Sequence, residues 1–233
     1  MKSLNYFKYW YFIGLNWNFF LATFTVYHEI KGEKKYNLES IEIDRLKTIS
    51  VKGNNLDHAS IYQACNYYVV EKGFDYLQRI NENKNITDFG CGKGRILVVA
   101  AHYGFKNITG IDFANSLCRL AEKNIERNHA LFPSTKFEVL CMDATDYKIQ
   151  KEQTVFFFFN PFDDVVMLAV VKNILASFKE NPRKIYAIYA NPVHKEIFLS
   201  AGFEEEYYLK KLEYLELSIL SYPNSMMMDN EEL

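Results

Sequence analysis

Residues 85–95 read NITDFGCGKGR, and the reading of this stretch decides the fold. A short β-prone run ends at Asp88-Phe89, and glycines follow at 90, 92 and 94. Glycine at such a junction lets the chain turn sharply and lets a ligand approach backbone N–H groups with no Cβ in the way. The next residues, 93–103, have helical spacing, so the loop aims the free N–H groups of a helix start at whatever binds. A dinucleotide loop needs G-x-G-x-x-G, whose third glycine position holds Arg95 here; what stands is D-x-G-x-G-x-G. A tight strand-to-helix turn without a ligand is the alternative.

Downstream, short apolar runs alternate with helical periods. Strands are predicted at 108–112 (ITGID), 137–143 (FEVLCMD), 154–160 (TVFFFFN) and 185–191 (IYAIYAN). Helices are predicted at 115–128, at 163–178 behind the capping carboxylates Asp163-Asp164, and up to about Ala201. This alternation implies βαβ units: a mostly parallel sheet with helices on both faces. Residues 204–222 alternate at period two around Lys210-Lys211 and read as a closing antiparallel pair. The expected division is an N-terminal cap or substrate region at 1–83, a core at 84–222 and a flexible tail at 223–233.

Upstream, residues 24–36 suggest a hairpin around Lys31-Gly32. Ser60 to Gln63 has the form of a capping box before a helix of about twenty residues. Tyr9 to Tyr27 carries no formal charge over nineteen residues, long enough to span a bilayer, but Asn16, Asn18, Gly14 and scattered aromatics argue for packing on the core instead. The net charge of −2 forces no basic face and so disfavours a nucleic-acid partner, and the Lys31, Lys34, Lys35 cluster reads as solvated. Cys65, Cys91, Cys118 and Cys141 form no CxxC pair and no metal-ligand spacing with the five histidines, so no metal is expected and free thiols suit a cytoplasmic setting.

Three carboxylates end three successive predicted strands: Asp88, Asp112 and Asp143. A carboxylate at Asp112 is placed to accept both ribose hydroxyls of a nucleoside, and Asp143-Ala144 to meet an adenine ring. At this point the chain resembles the class I, seven-strand, Rossmann-like methyltransferases that use S-adenosylmethionine, over residues 85–222. DFGCGKG is similar to their first motif, Asp112 to their ribose ligand and MDA (142–144) to their adenine contact. The resemblance implies that the first-motif residues Asp88, Phe89, Gly90, Cys91, Gly92 and Gly94 hold the methionine part. It implies also that Asp112 and Phe113 flank the ribose, with Asp143 and Ala144 at the adenine and Tyr62 over the cofactor or in the core. GCGKGR is similar too to seven-strand protein-lysine methyltransferases, which often carry Ser where Cys91 stands.

Asn160-Pro161-Phe162 falls where the methyl group of such a cofactor is expected. An amide oxygen and a neighbouring carbonyl can accept N–H bonds from a substrate amine and aim its lone pair, while Phe162 can shelter a cation. The motif is similar to the Asn/Asp-Pro-Pro-aromatic signature of amino-methylating enzymes, with one proline in place of two. A plain turn after a buried strand is the competing reading, and at Asn191-Pro192 it is preferred. The expected function is therefore nitrogen methylation, with a protein side chain or small molecule favoured as acceptor and nucleic acid and a membrane span disfavoured. The alternatives are a small-molecule O- or N-methyltransferase, a non-catalytic cofactor-binding module, and a membrane-associated module tethered by residues 9–27. No residue stands out as a general base.

Overall fold

The computed structural model describes residues 2–38, 64–80 and 84–222. Two helices lead, α1 (Lys2–Asn16) and α2 (Phe19–Lys35), followed by α3 (Tyr67–Ile80). Then come β1 (Asn85–Phe89), α4 (Arg95–His102), β2 (Asn107–Asp112), α5 (Asn115–Asn128), β3 (Lys136–Cys141) and β4 (Val155–Phe159). The chain continues through α6 (Asp164–Glu180), β5 (Ile185–Ala190), α7 (Lys195–Ser200), β6 (Glu204–Lys211) and β7 (Leu215–Tyr222). The seven strands form one sheet in the order β3-β2-β1-β4-β5-β7-β6. β1 to β5 run parallel, while β7 is antiparallel to β5 and to β6.

The four phenylalanines at 156–159 follow the pleat. Phe157 faces the cluster beneath α3 and α4, where it stacks on Phe74; Phe156 and Phe158 face the cluster beneath α6 and α7. All three are fully buried, each contributing about 1.5–3 kcal/mol of transfer free energy. Phe159 shares the Phe157 face and is only partly buried. The order of strands reverses direction between β1 and β4, and a ligand crevice opens where connections diverge in this way.

Two local expectations are corrected and one is refined. Residues 24–36 form no hairpin: α2 continues through Gly32 because that glycine lies under the Tyr67 ring, where a Cβ would stand 2.2 Å from ring carbons. The uncharged stretch at 9–27 packs on the core as expected, through Ile13, Leu21 and Ala22, but as two helices parted at Trp17-Asn18, where Asn18 caps α2 by accepting from Leu21 N at 2.7 Å. The closing turn falls past the two lysines, at Leu212-Glu213, which take φ values of 53° and 64° without the Asn-Gly that usually announces such a turn. The helix predicted from the capping box is described from Tyr67 on; Ser60 to Gln63, Tyr62 included, and the tail at 223–233 lie outside the described residues.

The helical hairpin of α1 and α2 is tied to the core by a buried ion pair. Arg95 opens α4 directly behind the glycine loop, and Glu29 of α2 receives it twice: Nη1 to Oε1 at 3.0 Å and Nη2 to Oε2 at 2.8 Å. The same guanidinium donates to the Cys65 carbonyl and lies 4.0 Å over the Tyr67 ring. Burial raises the Glu29 carboxyl above its ordinary range, and the Arg95 charge pulls against that. Gly32→Ala forces a methyl into the Tyr67 ring of this junction. It is expected to cost about 1–3 kcal/mol, read as a lowered denaturant midpoint with unchanged slope.

Candidate active site

The carboxyl ends of β1, β2 and β4 converge. After β1 the chain passes through Gly90, Gly92 and Gly94 at φ 78°, 53° and 76°. The N–H groups of Gly90 and Cys91 both donate to the Ile111 carbonyl, at 2.8 and 2.9 Å, which pins the loop against β2. Gly92 N–H donates to Asp112 Oδ2 and Ala114 N–H to Asp112 Oδ1, each at 2.9 Å. Asp112 thus organises the loop while each of its oxygens retains a lone pair for a further donor.

Asp88 stands at the end of β1, 2% exposed, with Oδ2 accepting no hydrogen bond. Burial, and next the neighbouring Asp112, push its carboxyl well above the usual aspartate range. Asp112 is also raised by burial, opposed by its backbone donors. Two buried carboxylates with an unmet acceptor form a site for a cationic, donor-rich ligand.

Across the reversal point, Asn160 ends β4 at φ 42°, and its buried Oδ1 accepts no hydrogen bond. Pro161 seats directly on Gly90: a Cβ on that glycine would lie 2.5 Å from the proline Cβ. The glycine loop and the Asn-Pro turn are thus in contact. Phe162 is 7% exposed and packs in the cluster beneath α6, so it offers little ring face to a ligand. Phe89 stacks on Phe158 at 5.3 Å and contributes backbone alone to the crevice. Cys91 turns its side chain down onto Gly110, and burial raises its thiol. Phe113 is half-buried, with its carbonyl near the Cys141 thiol. At the end of β3, Asp143 Oδ1 accepts from Thr145 N–H and Oγ1 at 2.9 and 2.7 Å, capping a short turn that buries Ala144.

Sequence reasoning missed a cavity of about 290 Å³ beside Phe159 and Ala190. Tyr9, Trp17, Thr25 and Asn66 line it from the N-terminal side, and Asn191 and Tyr214 from the sheet side. Asn191 takes φ 49° at the end of β5, one strand from Asn160, with Phe159 paired to Ala190. The repeated Asn-Pro was the available signal. Nothing in the sequence linked Tyr9 or Trp17 to these strands.

The family model described as "Methyltransferase domain" matches residues 86–181. The chain carries a class I methyltransferase domain. Its sheet resembles magnesium protoporphyrin IX methyltransferase of Synechocystis PCC 6803 with bound S-adenosylmethionine. The TM-score is 0.51 at 14% identity, over 66% of this chain and 77% of that one. It also resembles the tRNA (uracil-54, C5)-methyltransferase of Pyrococcus abyssi, TM-score 0.50 at 16% identity, covering 69% and 40%. These are likenesses of fold. In sequence the chain is 38% identical over 79 residues to EEF1A lysine methyltransferase 2 of Danio rerio, and 46% identical over 46 residues to a ribosomal protein L11 methyltransferase of Shewanella baltica. These matches cover 28% and 20% of this chain, and 34% and 16% of the relatives' length.

The cofactor of this methyltransferase domain is S-adenosylmethionine, and the crevice fits it. The ligand brings an ammonium, two ribose hydroxyls and a sulfonium to a site with two buried carboxylates and glycines that admit close approach. Asp112→Ala is expected to weaken S-adenosylmethionine binding about tenfold or more in calorimetric titration. Because the folded-state pKa of Asp88 is raised, its contribution favours the fold below the ordinary aspartate range. That contribution is lost as pH rises through the raised value. Asp88→Asn is therefore expected to raise the ligand-free melting midpoint at neutral pH, by about 2–4 °C for each ~1 kcal/mol relieved. It should also weaken cofactor binding and remove the proton release that accompanies it, as read by titration in buffers of different ionisation enthalpy.

Proposed function

We propose that the protein methylates a nitrogen of a protein side chain. The observation that carries this reading is Asn160: a carboxamide oxygen, buried and without a donor, at the point where the two halves of the sheet part. Such an oxygen is costly to leave unmet, and an N–H of an incoming amine or amide would meet it. S-adenosylmethionine, when bound, supplies an electrophilic methyl on a sulfonium. The role of Asn160 is then to hold the acceptor nitrogen so that its lone pair faces the crevice. Positioning of this kind is worth up to roughly 7–11 kcal/mol of a bimolecular barrier. Pro161 fixes the turn by its seat on Gly90, and the buried aromatic strand behind it keeps water from the reacting face.

A protein acceptor is supported by the names of the sequence relatives, a lysine methyltransferase and ribosomal protein L11 methyltransferases. A small-molecule acceptor is the second reading, favoured by the cavity beside Phe159, where the rings of Tyr9, Trp17 and Tyr214 stand with the polar side chains of Asn66 and Asn191. A cytoplasmic setting suits the four free cysteines.

The test is transfer of radiolabelled methyl from S-adenosylmethionine to a protein extract. Base-stable label in a methylated amino acid supports the reading. Label only in base-labile esters or in small molecules sinks it. Asn160→Gly keeps the positive φ but removes the carboxamide. It is expected to lower kcat about a hundredfold with cofactor affinity unchanged.

A further inference from the structure

The helical hairpin carries two apolar faces, and the core uses only one. On α1, Tyr6, Tyr9, Trp10 and Ile13 recur at helical spacing toward the protein, where Ile13 packs with Leu21, Ala22, Leu212 and Leu215. The opposite face presents Leu4, Phe7, Tyr11, Phe12 and Leu15, each at least 51% exposed. On α2 the outward face continues with Phe20 (71% exposed), Tyr27 and Ile30. Ten of the seventeen large apolar side chains exposed among the described residues come from residues 4–30. Ring contacts close the hairpin: Trp10 of α1 meets Phe19 of α2 at 4.9 Å, and Phe12 meets Trp17 of the turn at 6.1 Å. A helix apolar all round is a helix whose second face has a partner.

Charge identifies the partner. The hairpin holds two carboxylates, Glu29 and Glu33, and both turn inward, onto Arg95. What faces out beside the rings is cationic: Lys8 on the α1 face, and Lys31 and Lys34 in line with Phe20 and Tyr27 on α2. A second copy docked by the same patch would gather the lysines of both hairpins into one interface, with no outward hairpin carboxylate to pair them. Among the described residues no helix is long and apolar enough to cross a membrane. Aromatic rings with lysines, on short helices without outward acid, match the headgroup layer of an anionic bilayer.

We propose that the α1–α2 hairpin lies on an anionic lipid surface, its Phe, Tyr and Trp rings in the headgroup region and its lysines on the lipid charge. This rests on the hairpin alone, independently of the acceptor. Trp17 belongs to both the patch and the cavity beside Phe159, so docking sets that cavity's mouth at the lipid boundary.

Trp10 and Trp17 are the chain's two tryptophans, so their emission reports on the hairpin without a label. The full chain is mixed with sucrose-loaded vesicles of phosphatidylcholine, with or without phosphatidylserine, and sedimented. The expected result is co-sedimentation and a blue-shifted emission on the serine-lipid vesicles, lost as salt rises. Leu15→Ser with Phe20→Ser, the two most exposed positions of the patch, should reduce binding at least about tenfold at an unchanged melting midpoint. Lys8→Glu with Lys31→Glu and Lys34→Glu should erase the preference for the anionic lipid. No sedimentation with either vesicle overturns the proposal, and so does equal binding to both. A dimer in gel filtration that the double serine variant disperses, without vesicle binding, assigns the patch to a second copy and overturns it as well.

Discussion

The site depends on one missing atom. Gly90 has no Cβ, and the Pro161 ring occupies the space one would fill. This contact brings the exit of β1 against the exit of β4, at the only place in the parallel part of the sheet where neighbouring connections part. The positive φ at Gly90, Gly92 and Gly94 then turns backbone N–H groups toward β2. A side chain at Gly90 would push the Asn-Pro turn away from the loop and part the carboxylates at the ends of β1 and β2 from Asn160.

Electrostatics follow from the same convergence. Bringing the strand ends together buries Asp88 beside Asp112, and both carboxyls pay in raised proton affinity. Asp112 is partly compensated by Gly92 and Ala114 N–H groups, whereas Asp88 Oδ2 and Asn160 Oδ1 have no donor. Unmet acceptors of this sort are a cost that a folded chain retains where a ligand supplies the donors. The domain is thus least comfortable where it is most specific.

Arg95 extends this arrangement outward. It follows Gly94 in sequence, yet its guanidinium is held by α2, from the other side of the fold. Removing one partner of such a buried pair costs about 3–5 kcal/mol, far more than a surface bridge like Lys195 with Glu205. The glycine loop and the N-terminal hairpin are therefore mechanically joined. The sequence marked Arg95 as the residue that departs from a dinucleotide motif and closes GCGKGR; its partner Glu29 lies sixty-six residues away with no pattern to announce it.

Much of the core was legible because its signals are local. Strand runs, the Asp163 cap, the glycine loop and the order of alternation are written in neighbouring residues, and with them the fold class and the carboxylates that end β1, β2 and β3. What failed was whatever a distant group decides. Gly32 looked like a turn until the Tyr67 ring explained it, Leu212-Glu213 turned without turn residues, and Asn191 gained its place only when β5 was laid beside β4. The sequence by itself determined the glycine turn and the carboxylates at the strand ends, since backbone geometry and periodicity act over a few residues. Only the tertiary structure decided which stand together, which acceptors remain unmet and which apolar face stays outside, because burial and pairing belong to groups brought into contact by the whole chain.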